Sequence, residues 1–109
     1  MNEQTALRDD VIVVLLVEDS QADIDLAMEA LEENKTSIDL HLVKDGEEAL
    51  HFLHKEGDFS NSPTPDLILL DLNLPKVNGK EVLADLKADP KLKLIPVIIL
   101  STSDSREDI

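Results

Sequence analysis

Carboxylate side chains follow two apolar runs of this sequence. Glu18 and Asp19 come directly after residues 11–17, and Asp71 comes directly after residues 66–70. Each run is short and lacks a helical polar stripe, which predicts a buried strand with acidic side chains at its carboxyl end. The functional crevice of an open α/β sheet lies outside the carboxyl ends of its strands. We therefore expect the three carboxylates to meet there if the first strand lies beside the third.

Grouped carboxylates need a positive partner. Two unit charges about 4 Å apart repel by roughly 1 kcal/mol in water and by about 4 kcal/mol at an effective dielectric constant near 20. An all-oxygen cluster that tolerates bound water suits Mg²⁺. A carboxylate beside such an ion can attack a phosphoryl group and form an aspartyl phosphate. The spacing thus points to magnesium-assisted phosphoryl chemistry.

Simpler explanations exist for each of these side chains. An aspartate after a strand is commonly a turn residue, and Glu18 and Asp19 could cap the next helix, whose dipole favours acidic groups. Ser20 already supplies a good cap, however, which favours the metal interpretation. His51 and His54 lie three residues apart on a predicted helix. Without a third ligand we interpret them as solvent-facing side chains.

Strands and helices alternate along the chain. The predicted elements are a strand at 11–17, a helix from Ser20 to about Asn34, a strand at 38–42, a helix from Asp45 to about Lys55, a strand at 66–70, an Asn78-Gly79 turn followed by a helix that ends at Asp89, a strand at 97–100 and a helix start at Ser105. The Asn-Gly pair favours a positive φ at the glycine of that turn. This order predicts a doubly wound α/β domain. Residues 38–42 alternate apolar and polar side chains, which indicates a position near a sheet edge. We expect 1–10 to be a flexible tail and 11–109 to be one domain.

Composition excludes several classes of function. The chain has 109 residues, 24 acidic and 10 basic side chains and a formal net charge of −14, which opposes contact with phosphate backbones or anionic lipid. Its two aromatic rings, Phe52 and Phe59, offer no stacking surface for single-stranded nucleic acid. The absence of cysteine excludes a thiolate metal site. No run approaches the roughly 20 apolar residues of a membrane span. We expect a soluble cytoplasmic protein without direct nucleic-acid or membrane contact.

Three segments resemble the response-regulator receiver domain of two-component signalling. They are Leu-Val-Glu-Asp-Ser at 16–20, Asp-Leu-Ile-Leu-Leu-Asp-Leu-Asn-Leu-Pro-Lys-Val-Asn-Gly at 66–79 and Pro-Val-Ile-Ile-Leu-Ser at 96–101. Their order and spacing are similar to the family from about Val11 onward. The long loop before Pro65 and residues 89–93 resemble small stand-alone receivers that partner phytochrome-type histidine kinases. The resemblance implies a flavodoxin-like parallel sheet with strand order 2-1-3-4.

The resemblance also implies a metal site and a phosphoacceptor. Mg²⁺ would be bound by Asp19, Asp71 and the backbone carbonyl of Asn73, with Glu18 joining through water. Asp71 would accept a phosphoryl group from the phosphohistidine of a sensor kinase. Such a phosphoprotein would catalyse its own phosphotransfer and dephosphorylation without being a conventional enzyme.

Further residues would respond to the phosphoryl group by the same resemblance. Ser101 would be the switch hydroxyl that hydrogen-bonds a phosphoryl oxygen and moves inward on activation. The backbone amides of Leu72, Asn73 and Thr102 would bind the remaining oxygens. Phosphorylation adds about −1.5 to −2 charges at one point, and the hydroxyl would transmit this change to the surface beyond the fourth strand.

The sequence departs from the family pattern at its end. The family has a lysine at the end of a fifth strand, but this sequence stops at Ile109. We therefore expect a truncated receiver in which the fifth strand and last helix are missing and one sheet face is uncovered. Exposed apolar surface of several hundred Å² favours association. This predicts self-association through that face or by exchange of terminal elements.

Two other classes of function compete with the phosphoacceptor. The first is a truncated, catalytically silent receiver whose role is interaction and assembly. The second is a flavin-binding or phosphatase domain of similar topology. The acidic segment Glu18-Asp19-Ser20 argues against flavin phosphate, because an anion is best received by hydroxyls, glycines and a helix amino terminus. The segment Asp71-Leu72-Asn73 lacks the second aspartate of many aspartate-nucleophile phosphatases.

Overall fold

The computed structural model describes residues 11–33, 37–74 and 76–100. The elements are β1 (Ile12–Val17), α1 (Gln21–Glu32), β2 (Ile38–Val43), α2 (Gly46–His54), β3 (Leu67–Asp71), α3 (Gly79–Ala88) and β4 (Val97–Leu100). A single 3₁₀ turn, Gly57–Phe59, lies in the loop between α2 and β3. The predicted tail at 1–10, the predicted helix start at Ser105, and Ser101 and Thr102 lie outside the described residues.

The four strands form one parallel sheet in the order β2-β1-β3-β4, which confirms the predicted topology. Val17, the last residue of β1, pairs with Val43 on one side and with Leu70 on the other. Leu70 is followed by Asp71, the last residue of β3. This register places Glu18, the first residue after β1, level with Asp71.

Helices cover both faces of the sheet. Successive side chains of a strand point to opposite faces, so each face of the sheet presents apolar side chains that a helix buries. On one face, Leu15, Val17, Ile68 and Leu70 are buried against α2 and α3. On the other face lies a smaller cluster, whose buried members are Val14, Leu16, Ile24 and Leu69. Burial of each such side chain stabilises the fold by about 1.5–3 kcal/mol. Most of the core therefore lies on the α2 and α3 side.

Each helix begins at a polar cap. The Ser20 hydroxyl accepts a hydrogen bond from the Asp23 amide at 3.4 Å, and the Asp45 carboxylate accepts one from the Glu48 amide at 2.8 Å. Asn78 and Glu81 form a reciprocal capping box at the start of α3. These caps satisfy amide groups that have no partner within the helix. The helix starts predicted at Ser20 and Asp45 are confirmed. The predicted Asn78-Gly79 turn is wrong, because Asn78 caps α3 and Gly79 is the first residue of that helix, without a positive φ.

The helix α1 is attached to the sheet more loosely than its spacing predicts. Ile24 is its only fully buried residue, and Met28, predicted on the buried side, is 39% exposed. Ala27 and Leu31 are partly buried against the smaller cluster. In the described part of the chain no second helix lies beside α1 on this face. The flank of the helix that carries Met28 therefore stays accessible.

The two edge strands differ in how they are covered. β2 lies at one edge, as the alternation of residues 38–42 predicts. β4 lies at the other edge, and among the described strands it pairs with β3 alone. Ile98 is 51% exposed and Ile99 is 41% exposed. Two large apolar side chains of β4 are thus accessible, one on each face of the sheet.

The interpretation of His54 as a solvent-facing side chain is wrong. Its Nε2 atom lies 2.6 Å from Oδ2 of Asp85, and its Nδ1 atom lies 3.9 Å from Oδ2 of Asp89. The ring therefore joins the end of α2 to α3 and the residue that follows it. Spacing within one helix cannot reveal such a pair, because the partner lies 31 positions away in the chain.

Candidate functional site

Three carboxylates meet at the carboxyl edge of the sheet, between β1 and β3. One oxygen atom from each of Glu18, Asp19 and Asp71 lies within 4.8 Å of the other two. Glu18 is completely buried, Asp71 is 3% exposed, and Asp19 is open to solvent. The strand register explains this meeting, since it aligns the end of β1 with the end of β3. The predicted convergence of these side chains is found in the structure.

Glu18 is the most perturbed carboxyl group of the cluster. Burial raises its pKa from 4.5 to about 7, the negative charge of Asp71 acts in the same direction, and the hydrogen bond from the Ser20 amide opposes both. That amide donates to Oε2 at 3.1 Å. The other oxygen, Oε1, is buried and accepts no hydrogen bond from any described residue.

A cation fits this cluster on two independent grounds. A buried carboxylate oxygen without a partner is costly, and a cation with its bound water would supply the partner that Oε1 of Glu18 lacks among the described residues. The donors are all oxygen atoms, and hard divalent cations prefer oxygen ligands. Positive charge would also relieve the repulsion between Glu18 and Asp71. The residues present therefore fit a divalent metal.

The loop after β3 is tied closely to Asp71. The Asn73 amide donates a hydrogen bond to Oδ1 of Asp71 at 3.0 Å. The Gly79 amide donates to the Leu72 carbonyl oxygen at 3.1 Å. A Cβ atom at Gly79 would lie 2.5 Å from the Asp71 carbonyl oxygen and 2.4 Å from the Leu72 Cα atom. Glycine at 79 thus allows the start of α3 to lie directly against the end of β3.

The structure brings together only some of the predicted site residues. Leu72 and Asn73 lie beside the carboxylate cluster, in the loop that follows Asp71. Ser101 and Thr102 lie outside the described residues, and the roles given to them remain predictions.

The sequence pattern does not indicate one contact near the site. A Cβ atom at Gly46, the first residue of α2, would lie 1.7 Å from the backbone oxygen of Val77. Asp45-Gly46 was interpreted only as the start of a helix. A glycine at the first position of a helix is the sequence signal for such a close contact. The residue that it contacts, Val77, lies in a loop that is distant in the chain.

The comparisons with known proteins agree on one family. Residues 14–109 match the family described as "Response regulator receiver domain". Response regulator Rcp1 of Synechocystis sp. (strain ATCC 27184 / PCC 6803 / Kazusa) is 50% identical over 97 residues, which cover 89% of this chain and 66% of the relative. The chain thus spans about two thirds of the length of this curated relative.

Two solved structures resemble the fold closely. The phosphorylated cyanobacterial phytochrome response regulator RcpA has a TM-score of 0.81 and 52% identity, with 89% of this chain and 69% of that chain covered. The Mn²⁺-bound form of response regulator Rcp1 has a TM-score of 0.82 and 50% identity, with 90% and 70% covered. No helix within the described ranges has the length and apolar character needed to cross a bilayer.

Proposed function

This chain belongs to the response regulator receiver family, and from that premise we propose that it is the phosphoacceptor module of a two-component system. Asp71 accepts a phosphoryl group from the phosphohistidine of a sensor kinase. The observation that carries the proposal is the meeting of Glu18, Asp19 and Asp71 at one edge of the sheet. A lone aspartate after a strand would be an ordinary turn residue, whereas three carboxylates held together at an energetic cost indicate a site.

The transfer follows from the position of Asp71. A carboxylate oxygen of Asp71 attacks the phosphorus atom, the phosphorus–nitrogen bond breaks, and the imidazole of the kinase leaves. The amide of Asn73 orients the attacking group by its hydrogen bond to Oδ1. The side chain of Asp71 is almost fully buried, so the phosphoryl group must approach from the open side, where Asp19 faces solvent.

The metal of this proposal is Mg²⁺. Asp19, Asp71 and the backbone carbonyl of Asn73 would hold it, and Glu18 would join through water. When bound, it supplies positive charge that offsets the carboxylates and polarises the phosphoryl oxygens. The Mn²⁺-bound form of Rcp1 supports a divalent ion in this fold.

The remaining roles belong to residues around the phosphoryl group. The backbone amides of Leu72, Asn73 and Thr102 receive its oxygens, and the Ser101 hydroxyl turns toward it. The partner is a cytoplasmic histidine kinase of the phytochrome type, in line with the description of RcpA as a phytochrome response regulator.

Phosphoryl uptake tests the proposal directly. The purified chain is incubated with Mg²⁺ and a small phosphodonor, and its intact mass is measured. We expect a mass gain of one phosphoryl group, which Asp71→Asn abolishes. Asp58→Asn is the matched control, because it removes an exposed carboxylate in the 3₁₀ turn, away from the sheet edge. A wild-type chain that gains no mass in the presence of Mg²⁺ contradicts the proposal.

Assembly through β4 is the second candidate function. The exposed side chains of Ile98 and Ile99 lie on an edge strand with one described neighbour, β3, and such an edge is a template for association. A second copy of this chain is the proposed occupant. Size-exclusion chromatography with light scattering should give a dimer that Ile98→Asp disrupts and Leu26→Asp, on the outer side of α1, leaves intact. A folded wild-type monomer excludes this candidate.

A further inference from the structure

The first turn of α2 lies directly against the loop that follows Asp71. A Cβ atom at Gly46 would lie 1.7 Å from the carbonyl oxygen of Val77, 2.6 Å from its carbonyl carbon and 2.9 Å from its Cβ atom. Ordinary van der Waals contact starts at 3.4 Å, which is twice the shortest of these distances. No side chain fits at position 46 without displacement of either the helix or the loop. The nearest atoms are backbone atoms, so rotation of a side chain cannot relieve the overlap.

Hydrogen bonds hold the loop at both of its ends. At its base, the Gly79 amide is bonded to the Leu72 carbonyl oxygen at 3.1 Å. Next to the carboxylates, the Asn73 amide is bonded to Asp71 at 3.0 Å. Between these hydrogen bonds, the backbone of Lys76 has a φ of 65°, which residues other than glycine rarely adopt. A shift at Val77 therefore acts on a loop that is held at both ends.

A second contact joins the same loop to the same helix end. The ammonium group of Lys76 lies 3.7 Å from Oδ2 of Asp45 and 3.9 Å from Oε1 of Glu47. Lys76 is 62% exposed, so these ion pairs are weak by themselves. They reinforce the backbone contact, because Lys76 is the neighbour of Val77. The amino-terminal turn of α2 thus holds the loop at two adjacent residues.

We propose that Gly46 is a positioning residue for the phosphoacceptor site. Its missing side chain lets α2 hold Val77 and thereby sets the position of Asn73, whose amide orients Asp71 and whose carbonyl is a proposed metal ligand. The inference rests on the proposed function. A misplacement of about 1 Å in such a site costs about 100-fold in rate, and loss of an outer-shell contact costs about 10- to 100-fold in metal affinity.

The test compares two glycine substitutions. Gly46→Ala introduces the overlap with Val77. Gly57→Ala is the matched control, because Gly57 has a φ of 58° and no atom within 4 Å of its added Cβ, so the change strains the backbone without moving the loop. Binding of Mn²⁺ is measured by calorimetry, and phosphoryl uptake is measured with a small phosphodonor. Both are recorded at a temperature at which circular dichroism finds both variants folded.

We expect Gly46→Ala to weaken Mn²⁺ binding by about tenfold or more and to slow phosphoryl uptake at saturating donor. The amide resonances of Leu72 and Asn73 should shift in its nuclear magnetic resonance spectrum. Gly57→Ala should match the wild type in all three measurements, although it lowers thermal stability. If Gly46→Ala binds Mn²⁺ as tightly as Gly57→Ala does, the inference is wrong and the proposed function stands. If the wild-type chain neither binds Mn²⁺ nor gains a phosphoryl group, both the inference and the proposed function are wrong.

If Gly46→Ala does not fold, Lys76→Ala tests whether α2 positions the loop. It removes the ammonium contacts to Asp45 and Glu47 and adds no volume. Removal of a positive charge near a cation site should strengthen Mn²⁺ binding if electrostatics alone acts. A loosened loop should instead weaken Mn²⁺ binding. Weaker Mn²⁺ binding supports the positioning of the loop by α2, whereas unchanged or tighter binding overturns it.

Discussion

The imidazole of His54 lies 2.6 Å from the carboxylate of Asp85, and this pair joins the last turn of α2 to α3. The histidine side chain is 30% exposed and the aspartate side chain is 37% exposed. Both helices pack on the face of the sheet that carries most of the buried core. The pair therefore links two elements that contact the segment from Asp71 to Val77, α2 through Gly46 and α3 through Gly79.

Removal of this pair should lower the free energy of unfolding by a modest amount. We expect His54→Ala to cost about 1 kcal/mol, because partly exposed pairs contribute at most that much. A double-mutant cycle with Asp85→Ala, measured by urea denaturation, isolates the coupling between the two side chains. His51→Ala is the control on the same helix, since the His51 side chain makes no hydrogen bond or ion pair with a described residue. Zero coupling between His54 and Asp85 would contradict the prediction.

The capping box of α3 should contribute to stability without contributing to chemistry. Asn78 accepts a hydrogen bond from the Glu81 amide at 3.0 Å, and Glu81 accepts one from the Asn78 amide at 3.1 Å. Asn78→Ala should lower the free energy of unfolding by about 1 kcal/mol, whereas Asn78→Ser should largely restore it. Urea denaturation provides the measurement. Equal stability of the alanine and serine variants would exclude a capping role.

The raised pKa of Glu18 predicts a pH-dependent loss of stability in the metal-free protein. The pKa is about 7 in the folded state, against an ordinary value of 4.5. Between these values the folded protein retains a proton that the unfolded chain has released. The contribution of Glu18 therefore becomes unfavourable as the pH rises from about 4.5, and it reaches about 3 kcal/mol above pH 7.

Glu18→Gln tests this dependence. The variant should gain stability relative to the wild type between pH 5 and pH 8, when both are unfolded by urea in the presence of a chelator. Carboxylates outside the cluster are common to both proteins, so their titration cancels in the difference. A difference that is constant with pH would show that Glu18 titrates at its ordinary value.

The raised pKa of Glu18 also predicts that the affinity for a metal ion increases with pH. Binding of a cation at the cluster requires ionised Glu18, and a pKa of about 7 leaves mostly the protonated form at pH 6. The affinity for Mn²⁺ should rise about tenfold from pH 6 to pH 8, with release of a proton on binding. Calorimetry in two buffers of different ionisation enthalpy measures both quantities. In Glu18→Gln the affinity should be lower and nearly independent of pH over this range.

Local patterns were sufficient to predict most of the elements. The apolar runs of β1, β3 and β4 have the length and composition of buried strands, and the alternation in β2 marks an edge. The capping residues Ser20 and Asp45 begin helices, as their types predict, whereas Asn78, predicted to form a turn with Gly79, caps α3. These features depend on neighbours within a few positions, so they can be read along the chain. Met28 was misplaced, because the exposure of a helix flank depends on what packs beside it.

The sequence by itself determined the parallel sheet and the delivery of Glu18, Asp19 and Asp71 to its carboxyl edge, because strand polarity and hydrophobic spacing are local properties. Only the tertiary structure decided how closely these groups approach and what they contact. The pairing of His54 with Asp85, the contact of Gly46 with Val77 and the raised pKa of Glu18 each depend on atoms that are distant in the chain or on burial by the whole fold. Such distances are set by packing, which no single stretch of sequence contains.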